Sequence, residues 1–166
     1  MRDRAGFTGP IGALLLAGGL VGALLLIVAE FTTLFEVHTA SSPGPIRSVG
    51  TGAHHSYAMA VIAVAVGVFA IGAWRNGSRP ALLAVGVLGI VSLLIALVGD
   101  LPDAHAQNVL IGSPTTHLQL ANATPSAGLY METAGAALLI ITCVSSFILL
   151  GPPRPVSGLT TAPPDG

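Results

Sequence analysis

Residues 10–29, PIGALLLAGGLVGALLLIVA, carry no charged side chain. A helix needs about 20 mostly apolar residues to cross a bilayer, so this stretch predicts a membrane-spanning helix. Pro10 suits its first position, where a missing N–H has no consequence. The charge-free run from Ala5 to Ala29 is longer than the apolar core of a typical secretory signal. We therefore interpret the stretch as a retained span.

Three further stretches have the same character, at about residues 56–74, 80–99 and 127–150. The chain of 166 residues is 52% hydrophobic and 8% charged, whereas soluble domains average about 25% charged residues. We expect a single four-span membrane domain, residues 1–150, with outer loops at 30–55 and 100–126. The Pro- and Gly-rich segment 151–166 predicts a disordered cytoplasmic tail.

The arginines predict the orientation of the spans, because cytoplasmic loops are enriched in positive charge. One arginine, Arg47, lies in a predicted outer loop, and the other five lie on the opposite side: Arg2, Arg4, Arg75, Arg79 and Arg154. This pattern is typical of a bacterial inner (plasma) membrane protein with both termini in the cytoplasm. The lipid bilayer is then its main partner, and a net charge of −1 gives no electrostatic support for a nucleic-acid partner.

Both outer loops contain strand-like segments around turn signals. FTTLFEVHT and IRSV flank the cluster ASSPGP, and NVLI and THLQLANA flank GSPT. Alternating apolar and polar residues on either side of Pro/Gly turns predict β-hairpins. The predicted fold is an all-α transmembrane protein, an antiparallel four-helix bundle with a small extracellular β-hairpin cap.

The middle of each span lacks ionisable side chains, since no Asp, Glu, Lys, Arg or His lies there. Transporters and pumps normally carry such residues at depth, so this absence disfavours them. Small residues let helices approach closely, and we predict helix packing at Gly18, Gly22, Ala63, Gly67 and Gly135. A stripe of small or polar residues on the fourth span should face the other helices: Glu132, Gly135, Ala136, Leu139, Thr142, Cys143 and Ser146.

Acidic residues and histidines gather at the outer ends of the spans. The predicted outer-rim polar cluster consists of Glu30, His54, His55, Asp100, Asp103, His105 and Glu132. Glu30 and Asp100 are expected to close the first and third spans, and His54 and His55 to open the second. Since adjacent residues point about 100° apart on a helix, at most one of the two histidines can face the bundle. We favour His55 slightly.

Two interpretations of this cluster stay open. It can be the polar boundary that joins the outer loops to the bundle, with no cofactor, which we favour. Alternatively, His54, His55, Asp100 and Glu132 can ligate zinc or copper, since neutral imidazoles and carboxylates are their ligands. The single cysteine, Cys143, excludes an intrachain disulfide and Cys-rich zinc sites.

Four spans with internal termini and a β-rich first outer loop resemble the claudin-like plan. The claudin signature of tryptophan, glycine, leucine and two cysteines in that loop is absent, because Trp74 lies on the cytoplasmic side, so no function carries over. EFTTLFEVHT, TGAHHSYA, GDLPDAHAQ and GLYMETAG are similar to segments of uncharacterised four-span integral membrane proteins of actinobacterial type. That resemblance implies a membrane protein and names no activity.

The leading functional hypothesis is an interaction, accessory or scaffold protein, with a membrane-protein partner or a second copy of the chain. The first alternative is an outer-face metal-binding protein. The second is a membrane enzyme with an acid–base site at the rim, for which Ser56, His55 and Asp100, or Glu132 with His54, can be nominated. No catalytic motif supports it, so we assign no catalytic residue.

Overall fold

The computed structural model of the protein describes residues 9–39, 43–55, 57–111 and 119–150. The protein is mostly helical, and its long helices are α1 (Pro10–Glu30), α3 (Ala58–Asn76), α4 (Arg79–Leu94) and α6 (Ala127–Leu150). Two short helices, α2 (Thr51–His55) and α5 (Leu101–Ala104), accompany four strands, β1 (Thr33–Thr39), β2 (Arg47–Gly50), β3 (Val109–Ile111) and β4 (Gln119–Pro125). The predicted tail, residues 151–166, lies outside the described residues.

Four helical stretches are long and apolar enough to cross a membrane: 10–30, 58–76, 79–104 and 127–149. Each exposes large apolar side chains, and Leu14, Val61, Val98 and Ile148 are between 70% and 74% accessible. Soluble proteins rarely present apolar surfaces of this extent to water. The four predicted spans are therefore confirmed as apolar helices, with boundaries shifted by a few residues.

The helices pack through small side chains. α6 packs against both α1 and α4, and α3 packs against the same two helices. Alanines and branched residues fill the space between them, namely Ala23, Leu26, Ala63, Val66, Ala70, Val85 and Leu139. The polar stripe predicted on the fourth span is confirmed, since all seven of its residues are buried. Within it, the Ser146 hydroxyl donates a hydrogen bond to the Thr142 carbonyl of the preceding turn at 2.6 Å.

Glycines from two helices allow close contact with α6. A Cβ atom at Gly18 would stand 2.6 Å from the Thr142 hydroxyl, and one at Gly22 would stand 2.7 Å from Leu139 Cδ2. On the other side of α6, Gly86 and Gly89 of α4 approach Cys143 and Leu139 as closely. The latter pair was not anticipated, although its i, i+3 spacing on the third span is visible in the sequence.

Of the remaining predicted packing residues, two lie in helix contacts of the described chain and one does not. Gly135 lies in this contact, where an added Cβ would be 3.0 Å from the Gly22 carbonyl oxygen. Ala63 is 1% exposed and belongs to the core. The packing role predicted for Gly67 has no partner among the described residues and stays a prediction, because a Cβ there would meet no heavy atom of the described chain within 4 Å. Gly67 thus lies on an open face of α3.

Both predicted hairpins are present, and they join into one four-stranded sheet of order β2-β1-β4-β3. β1 pairs antiparallel with β2 and with β4, and β4 pairs antiparallel with β3. The β1–β4 pairing, with Glu36 opposite Thr124, links the two loops directly. Leu34 anchors the sheet on the helices, since it is fully buried with Ala96, Ala104 and Leu129.

Two features of the helical backbone differ from the prediction. The third span does not close at Asp100, because a π-helical turn, Ile95–Asp100, leads into α5 and extends the helix to Ala104. The histidine pair does not open the second span either. It lies at the end of α2, and Tyr57, in the left-handed conformation with φ 62°, separates α2 from α3.

Candidate functional site

Glu30 links the end of one long helix to the start of another. It is the last residue of α1 and is 4% exposed. Its Oε1 accepts a hydrogen bond from the Ala60 N–H at 3.0 Å, in the first turn of α3, where backbone N–H groups lack helical partners. A carboxylate is favoured at that end of a helix. Glu30 therefore caps α3, a role that its position at the end of α1 concealed.

The second carboxylate oxygen of Glu30 faces α2. A Cβ atom at Gly52 would lie 2.9 Å from Glu30 Oε2, 2.8 Å from the Glu30 carbonyl oxygen and 2.7 Å from the Tyr57 ring. Only glycine leaves room for this approach. Tyr57 itself carries a backbone conformation that non-glycine residues seldom adopt, and such strain is typical of functional sites. The α2–α3 junction is thus built tightly around Glu30.

Asp100 is placed by the π-helical turn. It is the final residue of that turn and is 0% exposed. Its Oδ1 lies 3.5 Å from His54 Nε2. π-helical turns add a residue to a helix and frequently occur at functional sites. Here the turn allows the helix to continue while Asp100 stays buried beside the histidine.

His54, the less favoured histidine of the pair, contacts two of the acids. Its Nε2 also lies 3.6 Å from Asp103 Oδ2, and its ring meets the edge of Phe35 at a centroid distance of 6.0 Å. The imidazole therefore connects two acids near the end of the third apolar helix with strand β1. The His55 side chain and Ser56 lie outside the described residues, so the nucleophile–base pair nominated from them has no described geometry.

Glu132 is as fully buried as Asp100. It lies on α6 and is 0% exposed, with the carboxyl of Asp100 beside it and Glu30 within electrostatic range. Within the described residues, the Asp100 carboxyl is the hydrogen-bond partner of the Glu132 carboxyl, and no N–H or hydroxyl group donates to the Glu132 oxygens. Glu30 Oε2 and Thr51 Oγ1 are buried without a partner in that part of the chain. Buried polar atoms are nearly always hydrogen-bonded, so this concentration calls for a functional explanation.

The structure thus brings Glu30, His54, Asp100 and Glu132 into one layer, and Asp103 and His105 lie at its edge. Asp103 touches His54, but its side chain is 57% exposed. His105 is exposed, and its Nδ1 faces the Leu101 carbonyl of its own helix at 3.0 Å.

Three carboxyl groups from three helices against one imidazole form an acidic, largely dry site. Such a site can accept a proton or a cation, because neighbouring carboxylates repel one another unless positive charge is supplied. Among the described residues, no group of three or more His, Cys, Asp or Glu side chains is spaced to hold a metal ion.

Comparisons of the chain with protein-family models, with curated proteins and with solved structures found no match.

Proposed function

We propose that the protein is a multi-pass protein of a bacterial inner membrane that acts by interaction, as an accessory or scaffold protein. In this proposal the four apolar helices form an antiparallel bundle and the sheet caps its outer end. Support for the orientation comes from Arg75 and Arg79, which flank the α3–α4 turn. The positive-inside rule places that turn in the cytoplasm, and the sheet then faces outward.

The observation that carries the interaction role is the folded cap. Loops that merely connect spans need no structure, and fixing a backbone costs about 1–2 kcal/mol per residue. Here strands from both predicted outer loops pair into one sheet that is anchored by Leu34. The outward face of the sheet carries exposed or half-exposed polar side chains, among them Glu36, His38, Ser48, Asn122 and Thr124. A rigid polar surface of this kind suits recognition of another membrane protein or of a second copy of the chain.

Site-specific photo-crosslinking in intact cells tests this role. A benzophenone amino acid at position 48 or 122 should give discrete cross-linked species, and the same residue at the lipid-exposed position 64 should give none. Single cysteines at positions 48 and 76, in a Cys143→Ala background, test orientation with a membrane-impermeant maleimide. The position-48 cysteine should react in intact cells, and the position-76 cysteine only after permeabilisation. Robust turnover or transport by the purified protein alone would contradict the proposal.

A second candidate function is binding of zinc or copper at the outer face. The observation that favours it is the convergence of His54 and Glu132 on Asp100. Ion binding would have to draw these groups closer, with His55 as a further nitrogen ligand. Such a contraction would give the buried Glu132 carboxylate a positive charge to coordinate.

Elemental analysis of protein purified without a histidine tag decides between the two. Near-stoichiometric zinc or copper that is lost in the His54→Ala, His55→Ala double variant would support the metal site. The matched control is the His38→Ala, His105→Ala double variant, which removes two histidines that do not contact Asp100 or Glu132 and should keep the metal. Metal-free protein of unchanged stability would exclude this candidate.

A further inference from the structure

We propose that a cavity between the sheet and α5 binds a single-chain aliphatic carboxylate. The proposal rests on the membrane placement given above, because the ligand would come from the outer leaflet. The cavity measures about 410 Å³, within the range of small-molecule sites. It is distinct from the buried acids, although His54 contributes to both.

The cavity follows from the alternation of side chains in the strands. Strand register places Phe35 opposite Val49 and Val37 opposite both Arg47 and Ala123. Paired residues in antiparallel strands share a face of the sheet, and all five of these side chains line the cavity. The intervening residues, such as Glu36 and Ser48, point to the other face. The sheet therefore has one apolar face, turned toward α5.

Small residues keep this space empty. Ala106, Ala121 and Ala123 line it with a single methyl group each. At about 30 Å³ per water molecule in the liquid, 410 Å³ has room for roughly 14 non-hydrogen atoms. Water in an apolar space finds few hydrogen-bond partners, so an apolar chain that displaces it gains affinity. Dodecanoate, with 12 carbons and two oxygens, matches this size.

The positive charge of Arg47 favours a ligand with an anionic head group. Arg47 lines the cavity, and the ion pairs of the described residues do not include it. Thr51, at the start of α2, follows Arg47 by four positions, a span of about 13 Å at the rise of an extended strand. At the end of the cavity near α2, Asp103 already has His54 as its partner. An anionic head group is therefore complementary to Arg47, with the chain running over the valines and alanines toward His54.

Photolabelling of the full chain in lipid nanodiscs tests the proposal. The probe is dodecanoate with a diazirine near its methyl end, and the labelled residues are located by mass spectrometry of peptides. We expect labelling of Phe35 and of residues 103–106, near His54, competed by unlabelled dodecanoate and not by dodecylammonium. The Arg47→Gln variant should bind about tenfold more weakly or worse, since hydrogen bonds to charged groups correspond to steps of that size.

Cavity-filling variants make the test specific. Ala123→Leu should abolish the labelling. Ala106→Leu, in the segment beside β4 whose carbonyl accepts from the Ala123 N–H, should do the same in case the first variant disturbs the strand. Thr124→Leu, on the other face of β4, is the matched control and should label normally. Labelling confined to lipid-facing helix residues, equal competition by dodecylammonium, or unchanged labelling in both filled variants would overturn the proposal.

Discussion

Replacing Gly22 by alanine should force apart two helices that now touch. An added Cβ would lie 2.7 Å from Leu139 Cδ2 and 3.2 Å from the Gly135 carbonyl oxygen. The leucine methyl can rotate, but the backbone oxygen can move only with α6. Gly67→Ala, on the open face of α3, is the matched control, because its new methyl group meets no described atom within 4 Å.

The expected magnitudes follow from two opposing effects. An extra methyl group in a packed interior costs about 1–3 kcal/mol. Exchanging glycine for alanine within a helix stabilises it by about 0.5–1 kcal/mol. Gly67→Ala should show only the second effect and increase the free energy of unfolding. The two variants should differ by about 1–3 kcal/mol, because the helix-forming contribution is common to both and cancels.

Reversible unfolding in mixed micelles, with a rising fraction of denaturing detergent, measures this difference through the far-ultraviolet circular dichroism of the helices. Unmodified protein, Gly22→Ala and Gly67→Ala are compared at one lipid-to-detergent ratio. Equal free energies for the two variants, or a larger loss in Gly67→Ala, would refute the assignment of the α1–α6 contact.

Three further predictions concern the buried acids and the cap. Glu132→Leu should leave the free energy of unfolding unchanged or raise it by about 1–4 kcal/mol, as when buried charges are replaced by apolar groups. A clear loss in the same unfolding assay would show that Glu132 has a stabilising partner. His54→Ala should cost about 1–3 kcal/mol by removing a partner of buried Asp100, and Asp100→Asn should recover part of that loss; additive losses in a double-mutant cycle would contradict the contact. Gly128→Ala should loosen the cap and speed its proteolysis, since a Cβ there would lie 2.7 Å from the Thr33 carbonyl oxygen, whereas Gly99→Ala, with its nearest contact at 4.0 Å, should leave the cleavage rate unchanged.

Hydropathy and periodicity were sufficient to predict the four apolar helices, the buried stripe of α6 and both hairpins. These features depend on local composition or on a regular repeat. The π-helical turn at Asp100 and the left-handed Tyr57 were not predictable, because each is a one-residue irregularity that tertiary packing imposes. The capping of α3 by Glu30 and the pairing of β1 with β4 were missed for a related reason. Both join segments that are far apart in the chain, and a single sequence does not show which residues of two distant segments pair.

The β1–β4 pairing also affects the order in which the molecule can assemble. The Thr124 hydroxyl donates to the Glu36 carbonyl across 88 positions of sequence. At about 5–20 residues per second, synthesis takes roughly 4–18 s to cover that distance. During this interval β1 has only β2 beside it, and its second edge offers unpaired N–H and C=O groups to any neighbouring strand. A chain that stops after Ala104 would keep this unpaired edge, so β4 protects β1 from aggregation.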